Sequence, residues 1–399
     1  MRRPLNILVT DGDTRPALAI TRSLGSKGHR IFVGAKTSSS LAQASRYCHE
    51  AFVYPYPERN SDDFVGALVR VVRDRQIDVL LPVTEITTAL VVEHRNKFDP
   101  SCRVPCPTAA AFNTASNKVS VLALADQLSI PAPLSRVLEQ PGDSLERLEG
   151  LSMPVVVKPH RSRIMVEGRW RSTEVTYAEN KDELRAILAA KHKAEYPILL
   201  QERIVGPGVG VFMCYQQGRL VAQFSHRRIR EKPPAGGVSV LCESVPVRPD
   251  ARNYAQALLD ALQWEGVAMV EFKLDMRDQS LKLMEINGRF WGSLQLAVDA
   301  GVDFPALLIQ TLDDSPMQLL DTYRIGVRSR WLLGDVDALL MLLLKSQKEL
   351  HLPPSHAGKL LSIFRVLNPW QNNTYNEIAR RGDLNPAWHE LRHWFCAQS

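Results

Sequence analysis

Apolar and polar residues follow two different spacings over the first hundred positions of the chain. Residues 5–10 and 78–82 are short apolar runs, the pattern of strands that are buried on both faces. Between them, Pro16–Ser26 and Phe64–Arg73 carry their apolar residues at helical spacing. Because strands and helices alternate, we expect a parallel sheet covered by helices, an α/β domain over residues 1–107.

A different pattern follows the Pro-rich segment 102–108. One helix is predicted over residues 117–129 and another over 251–263. Between and after these helices come short β-type segments, at residues 153–159, 198–202, 209–215, 219–225, 267–275 and 281–286. Antiparallel strands after an α/β domain predict a second domain of α+β class, over residues 108–315. From residue 316 to residue 399 the pattern is mostly helical.

Composition and charge narrow the classes of function. The longest wholly apolar run, Ala338–Leu344, has seven residues, whereas about 20 are needed to cross a bilayer, and the N-terminus lacks the apolar segment of a signal peptide. We therefore expect a cytoplasmic protein without a membrane partner. A net charge of +6 over 399 residues does not indicate a nucleic-acid partner but suits small anionic ligands. The six cysteines form no CxxC pair and are expected to be free thiols, and the missing GxGxxG fingerprint argues against a dehydrogenase.

The most informative stretch is residues 267–293, which contains two β-type segments joined by the five residues MRDQS. A connection of this length is typical of a hairpin. If Asp275 pairs with Leu281, the antiparallel register places Glu271 directly opposite Glu285. Like charges that face each other destabilise a sheet, so this pair needs an explanation.

A divalent cation between the two carboxylates is the explanation we favour. Asn287 lies two residues beyond Glu285 and therefore on the same face of the strand. Two carboxylates and an amide oxygen are typical ligands of Mg²⁺, for which Mn²⁺ could substitute. We therefore expect Glu271, Glu285 and Asn287 to bind Mg²⁺. The alternative is that the glutamates lie on a solvated face of the sheet.

The sequence of this hairpin and its continuation, EFKLD…LMEINGRFWGS, resembles the metal-binding end of ATP-grasp enzymes. Within that superfamily it is most similar to carbamoyl-phosphate-synthase-like ligases of the carboxylate–amine type. The resemblance covers about residues 1–315. It implies a pre-ATP-grasp domain at residues 1–107, followed by an ATP-grasp domain with a small lobe over about 108–200 and a large lobe over about 201–315.

Other elements of this family occur upstream in the expected order. Lys118 opens a predicted helix and Lys158 ends the strand VVVK, and the resemblance assigns both lysines to the phosphates of ATP. The segment QERI resembles the hinge between the two lobes. By that resemblance the backbone of Glu202 and Ile204 would bind the adenine edge, and Gln201 would lie beside the purine amino group.

Two positions depart from the family pattern. The segment after Lys158 is basic, where many relatives have a glycine-rich cover over the phosphates, and Arg161 and Ser162 could substitute for it. Gly208 stands where some ligases have a ribose-binding glutamate, so the residue that binds the ribose stays unassigned. Neither departure involves the expected metal ligands.

Three arginines are candidate catalytic residues. Arg227 and Arg228 belong to the basic segment SHRRIREK at 225–232, which precedes a Pro-Pro-Ala-Gly-Gly turn. We expect residues 225–237 to form a mobile loop in which Arg227 or Arg228 stabilises an acyl-phosphate or binds a substrate carboxylate, the alternative being an ordinary solvated loop. Arg289 lies two residues after Asn287 and, if the strand continues that far, near the transferred phosphate.

The resemblance implies an ADP-forming ligase that uses ATP and Mg²⁺. ATP would phosphorylate a small-molecule carboxylate, and an amine, or less readily a thiol, would attack the acyl-phosphate. An alternative of another class is a nucleotide-binding regulatory protein that keeps the fold without turnover. A third is a zinc metalloprotease, because HELRH at 389–393 matches HExxH, although Cys396 is a poor candidate for the third ligand. The identities of the acid and the amine, the pathway, the oligomeric state and the role of residues 316–399 stay open.

Overall fold

The computed structural model describes residues 3–143, 150–234, 236–312, 317–346, 349–350, 359–367 and 373–398. Its first elements are β1 (Asn6–Val9), α1 (Arg15–Gly25), β2 (Arg30–Ala35), β3 (Cys48–Val53), α2 (Ser61–Asp74), β4 (Val79–Leu81) and α3 (Glu85–Glu93). The strands form a parallel sheet in the order β3-β2-β1-β4. The predicted parallel sheet at the N-terminus is therefore confirmed.

A smaller antiparallel sheet follows. Its elements and neighbours are α4 (Ala109–Ala115), α5 (Lys118–Gln127), β5 (Ser135–Leu138), β6 (Val155–Pro159), β7 (Arg163–Val166), β8 (Arg169–Ser172), β9 (Thr176–Ala178), α6 (Lys181–Ala189) and β10 (Ile198–Glu202). The sheet has the order β5-β10-β6-β9, and β7 and β8 form a separate hairpin. Leu184 of α6 packs with Val155, Val157, Ile198 and Leu200 in its core.

The largest sheet combines five antiparallel strands with two from the C-terminal region. The former belong to the series β11 (Gly208–Gln216), β12 (Arg219–Lys232), β13 (Val238–Ser244), α7 (Pro249–Ala261), β14 (Gly266–Leu274), β15 (Leu281–Asn287), α8 (Leu294–Ala300) and α9 (Phe304–Gln310). The C-terminal region supplies β16 (Arg328–Arg330), α10 (Leu332–Leu344), α11 (Lys359–Leu367), β17 (Thr374–Asn376) and α12 (Asn385–Gln398). The strand order is β15-β14-β11-β12-β13-β16-β17.

Both faces of this large sheet are covered, which explains why β11 is apolar on both sides. Val211 and Met213 point toward a core that includes residues of α5 and α7. Phe212, which alternates with them, points toward a core shared with α1, α8 and α9. The second face is therefore the one on which the large sheet meets the N-terminal sheet.

The C-terminal region is tied to α1 by buried ion pairs. Arg15 Nη1 donates to Glu377 Oε2 at 2.5 Å, and its guanidinium lies 4.2 Å from the centre of the Trp331 ring. Arg22 Nε donates to Asp383 Oδ2 at 2.7 Å. Residues 373–398 thus complete the packing of a helix that belongs to the first part of the chain.

Two sequence predictions are corrected by the fold. Residues 225–232 are not a loop, because β12 continues to Lys232. The C-terminal region contains the expected helices but also adds β16 and β17 to the large sheet. The boundary predicted at residues 315 and 316 lies outside the described residues.

Two further findings concern membranes and thiols. Within the described ranges, no helix is long and apolar enough to cross a membrane. All six cysteines are free thiols, as predicted.

Candidate active site

The predicted pairing of two glutamates is present, although one step of its derivation was wrong. Leu281 pairs with Leu274 and not with Asp275. A β-bulge then adds one residue between Leu283 and Glu285, and from there Glu271 lies directly opposite Glu285. The bulge thus restores the register that the sequence analysis expected.

The face that carries these carboxylates is fixed by the apolar residues between them. Val270 and Ile286 point into the core on the side of α5 and α7, so Glu271, Glu285 and Asn287 point to the opposite face. Asn287 Nδ2 donates to Glu285 Oε1 at 2.8 Å. The three predicted metal ligands therefore lie together.

The two carboxylates differ in electrostatic environment. Burial raises the pKa of Glu271, the charge of Glu285 raises it further, and Arg228 only partly offsets these effects. Burial would also raise the pKa of Glu285, but Lys118, the hydrogen bond from Asn287 and Lys158 together lower it. The charged form of Glu285 is thus stabilised by its surroundings, whereas the charged form of Glu271 is destabilised.

The two predicted phosphate lysines reach this site from the small sheet and its flanking helix. Lys118 is the first residue of α5, and its Nζ donates to Ser162 Oγ at 3.0 Å. Lys158 lies on β6, and its Nζ donates to Gln201 Oε1 at 2.6 Å. Burial lowers the pKa of Lys158 to about 8, although Glu285 favours its charged form. Two cationic side chains therefore adjoin the carboxylate pair, as binding of a polyphosphate requires.

The QERI segment lies where the chain passes from the small sheet to the large one. Gln201 is buried, and its Nε2 donates to Ser135 Oγ at 3.0 Å. The carboxylate of Glu202 accepts from Arg277 Nη2 at 2.8 Å. The carbonyl of Ile204 lies 3.4 Å from Lys273 Nζ. The segment thus connects the two sheets, and its role as a hinge and its contacts with adenine remain predictions.

Two of the predicted arginines, Arg227 and Arg228, lie on opposite faces of the large sheet. Arg228 Nη2 donates to Glu271 Oε2 at 2.6 Å and its Nη1 to Glu231 Oε1 at 3.0 Å. Arg227 is its neighbour on β12, so it points to the other face, where its Nε donates to Glu243 Oε2 at 2.6 Å. Arg228 is therefore brought to the carboxylates and Arg227 is not.

Of the other predicted residues, some lie beside the carboxylate pair or Lys118 and one does not. Arg289 Nη2 lies 3.2 Å from Asn287 Oδ1, which places this guanidinium beside the carboxylate pair. Arg161 instead bonds to Asn113 Oδ1 at 3.2 Å. Ser162 contacts Lys118, so of the two residues that could replace a glycine-rich cover, Ser162 has the direct contact with a lysine predicted to bind phosphate.

One charged residue that lines the cleft, Glu85, was not predicted from the sequence. Glu85, the first residue of α3, lines the same cleft as Lys118, Glu285, Asn287 and Arg289. A signal for it existed, because Glu85 closely follows the C-terminal end of β4, the edge at which parallel sheets bind ligands. The N-terminal sheet thus contributes a carboxylate to the site.

The HELRH segment does not form a metal site with other parts of the chain. His389 Nε2 lies 3.0 Å from Ser39 Oγ, and Glu390 accepts from Trp331 Nε1 at 2.5 Å. Nowhere in the described ranges do three His, Cys, Asp or Glu side chains come together in the manner of a protease zinc site. Glu390 serves instead to anchor α12, so the protease interpretation has no structural support.

Comparison with known proteins agrees with this geometry. Residues 194–333 match the family model described as ATP-grasp in the biosynthetic pathway with Ter operon. Over 280 residues the chain is 24% identical to a D-aspartate ligase of Enterococcus faecium (strain Aus0004). The chain is thus similar to ATP-grasp proteins over residues 194–333. The match with the ligase covers 64% of this chain and 64% of the ligase, which is less than two thirds of the relative's length.

Solved structures share the ATP-grasp fold. An L-amino acid ligase from Bacillus licheniformis is 16% identical, with a TM-score of 0.59 over 78% of this chain and 74% of that one. An N5-carboxyaminoimidazole ribonucleotide synthetase in complex with ADP is 15% identical, with a TM-score of 0.64 over 86% of each chain. At these identities the likeness establishes the ATP-grasp fold, and the reaction has to be argued from this chain's own site.

Proposed function

We propose that this protein is an ADP-forming ATP-grasp ligase that joins a carboxylate to an amine through an acyl-phosphate. The observation that carries the proposal is the opposed pair Glu271 and Glu285, with Asn287 beside them and with Lys118 and Lys158 adjoining. Like charges held together and surrounded by cationic side chains are explained by a cation and a polyphosphate that bind together. The names of the relatives support an amino acid as one of the substrates.

The donor set fits a hard divalent cation. Glu271, Glu285 and Asn287 offer only oxygen ligands, and the raised pKa of Glu271 indicates a carboxylate whose charge the protein alone does not fully compensate. When bound there, Mg²⁺ would supply positive charge to the phosphate oxygens during transfer. The side chains themselves would hold the reactants and neutralise charge.

In the first step, the substrate carboxylate attacks the γ-phosphorus of ATP. A carboxylate O–P bond forms while the bond from phosphorus to the β-phosphate oxygen breaks, which releases ADP. Lys118 and Lys158 would hold the phosphates, and Arg289, beside Asn287, would stabilise the negative charge near the transferred group. No side-chain nucleophile is needed, because positioning and charge supply the catalysis.

In the second step, the amine attacks the acyl carbon. The C–N bond forms, the C–O bond to the phosphoryl group breaks, inorganic phosphate leaves and the nitrogen loses a proton. Arg228, bound to Glu271, would keep that carboxylate oriented during both steps. The cleft around Arg289 would limit the access of water to the acyl-phosphate.

The test is an assay of ADP and phosphate release with Mg²⁺–ATP, using matrices of carboxylic acids and amino acids as donors and acceptors. We expect release that requires both substrates and is lost on addition of EDTA. Hydroxylamine supplied in place of the amine should give a hydroxamate and so report the acyl-phosphate. Binding of ATP without ADP release for any pair would instead favour the regulatory protein.

The hinge is tested separately by calorimetry. If the backbone near Glu202 and Ile204 pairs with an adenine edge, ATP should bind much more tightly than GTP. Equal affinities would refute the assignment of the hinge without affecting the metal ligands.

A further inference from the structure

Among the charged residues of the cleft, Glu85 differs in having no hydrogen-bond or ion-pair partner within the described part of the chain. The cleft is lined by Lys118, Glu285, Asn287, Arg289 and Glu85. The first four contact one another or Ser162, through hydrogen bonds or through charge. In the part of the chain that the structure describes, no donor bonds to the half-buried carboxylate of Glu85. An uncompensated anion thus faces a cleft that otherwise contains two cationic side chains.

The backbone that carries Glu85 is firmly held. Asp11, which follows β1, is buried and has a left-handed φ of 57°. Its Oδ2 accepts from the backbone N–H of Thr84 at 3.0 Å and from Thr87 Oγ1 at 2.6 Å. Thr84 is the N-cap of α3, so a buried carboxylate fixes the helix end from which Glu85 enters the cleft. Such fixed placement is what a residue that selects a ligand needs.

A helix-stabilising role would explain part of this arrangement. A glutamate at the first position of a helix interacts favourably with the free N–H groups there. That role requires only a charge near the first turn, and it is equally served by an exposed carboxylate. It does not explain why Glu85 lines the same cleft as Arg289.

Resting on the proposed ligase function, we propose that Glu85 binds the ammonium group of an amino acid substrate whose carboxylate lies toward Arg289. A carboxylate and a guanidinium in one cleft are complementary to a zwitterion. An acid without an ammonium group would meet the negative charge of Glu85, and an amine without a carboxylate would lack the contact with Arg289. Glu85 is therefore the residue that determines specificity for a free amino group.

The test compares amino acids with their N-acetyl derivatives. Wild type and variants are melted with Mg²⁺ and a non-hydrolysable ATP analogue, together with L- and D-amino acids or the N-acetylated forms as probes. We expect at least one amino acid, but not its N-acetyl form, to raise the melting temperature of wild type, because a ligand that binds the folded state stabilises it. Glu85→Gln should weaken binding of that amino acid at least tenfold.

Two further variants serve as controls. Glu93→Gln alters the exposed glutamate at the other end of α3 and should bind the amino acid as wild type does. Glu85→Asp keeps the charge one methylene further away and should fall between wild type and Glu85→Gln. A melt without ligands shows whether each variant is folded, and should Glu85→Gln fail to fold, Glu85→Asp still tests the contact.

The outcomes separate this inference from the proposed function. If ADP release requires an acid and an amine but Glu85→Gln retains the KM of wild type for the amino acid, only the role of Glu85 is refuted. Equal binding of amino acids and N-acetyl derivatives, or no stabilisation of wild type by any amino acid, would also overturn it. If wild type forms no ADP with any substrate pair, the proposed function itself fails.

Discussion

Two hairpins of the large sheet, β12–β13 and β14–β15, carry many charged residues but differ in how those charges are paired. In β12–β13 the arginines meet acids: Arg227 meets Glu243, and Arg230 forms a two-bond pair with Asp335, at 2.6 and 2.5 Å. In β14–β15, two carboxylates face each other across the ladder. In the first hairpin the charges form ion pairs within the fold. In the second, the repulsion between two carboxylates remains, and a bound cation would relieve it.

The comparison shows that the density of charge is a poor indicator of a site. The basic segment 225–232 has the higher density, yet most of its charges are neutralised by acids in β13 and α10. Arg228 is the exception, because it crosses to Glu271 in the other hairpin. Unfavourable electrostatics that the fold retains indicate function better than charge alone.

The largest effect should come from the opposed glutamates. We expect both Glu271→Gln and Glu285→Gln to reduce ADP formation by on the order of a thousandfold, because an amide oxygen lacks the negative charge with which each carboxylate would bind Mg²⁺. Their effects on the ligand-free protein should differ. Glu271→Gln should melt at or above wild type, since its pKa is raised, and Glu285→Gln should melt below it, since its pKa is lowered.

These variants are compared by melts with and without Mg²⁺–ATP and by an ADP assay. Asp278→Asn, in the exposed turn of the same hairpin, is the control and should behave as wild type. Normal turnover in either glutamate variant would place the metal site elsewhere and remove the main support for a ligase.

The second effect concerns the hairpin whose charges are paired. Asp335 is fully buried and is bonded by both Arg230 and Arg330, so Asp335→Asn leaves two guanidinium groups without a counter-charge. We expect the free energy of unfolding to fall by about 3 kcal/mol, measured by urea denaturation. ADP formation by the folded protein should stay within about twofold of wild type, since the pair is structural.

Asp182→Asn removes a partner from the exposed pair with Arg185 and provides the matched control. Exposed ion pairs contribute at most about 1 kcal/mol, so a loss for Asp335→Asn as small as that of this control would contradict the comparison of the hairpins.

The third prediction concerns Arg227 and Arg228, which are neighbours on β12 and should differ in their effect on turnover. Arg228→Ala should lower ADP formation about tenfold or more, because Glu271 loses its partner, whereas Arg227→Ala should change it less than about twofold. The KM for ATP should change little in both variants. If both turn over normally, Arg228 belongs with the structural charges of its hairpin and the distinction between them disappears.

The smallest effect is a dependence of ATP affinity on pH, which arises from Lys158 beside the two carboxylates. Burial lowers the pKa of Lys158 from 10.5 to about 8, so the free protein loses this charge as the pH rises through 8. ATP should then bind a few-fold more weakly at pH 9.5 than at pH 7, with uptake of a proton at the higher pH. In the same interval the unfolded chain holds more protons at this lysine than the folded protein, so this group makes the ligand-free protein more stable as the pH rises from 8 to 10.5.

Calorimetry in buffers of different ionisation enthalpy measures that proton uptake. Lys158→Arg stays charged throughout the range and should flatten the dependence attributed to this residue. A wild-type affinity that does not change between pH 7 and pH 9.5 would mean that Lys158 does not bind the phosphates.

The sequence was most informative where local pattern determines structure. The strands and helices around Lys118, Lys158 and Glu285 were predicted because their spacing and flanking residues are local signals. The register of Glu271 and Glu285 was obtained through two errors that cancelled, since neither the pairing of Leu274 nor the bulge at Met284 has a clear signature in one sequence.

Contacts between distant parts of the chain could not be predicted in this way. Residues 225–232 were expected to be a loop because the acids that neutralise them were not apparent; Asp335 lies 105 residues beyond Arg230. The position of Glu85 in the cleft depends on how the N-terminal sheet packs on the large one, and Arg227 and Arg228 could be distinguished only once β12 was known to be a strand.

The bond between Arg22 and Asp383 has a consequence for how the protein is made. Asp383 is synthesised 361 residues after Arg22. Although N-terminal domains usually fold first during synthesis, α1 would have to wait for those residues before its buried guanidinium finds its carboxylate. A product interrupted before Asp383 would retain an uncompensated cation on α1, which we expect to make it more sensitive to proteolysis than a chain that includes Asp383.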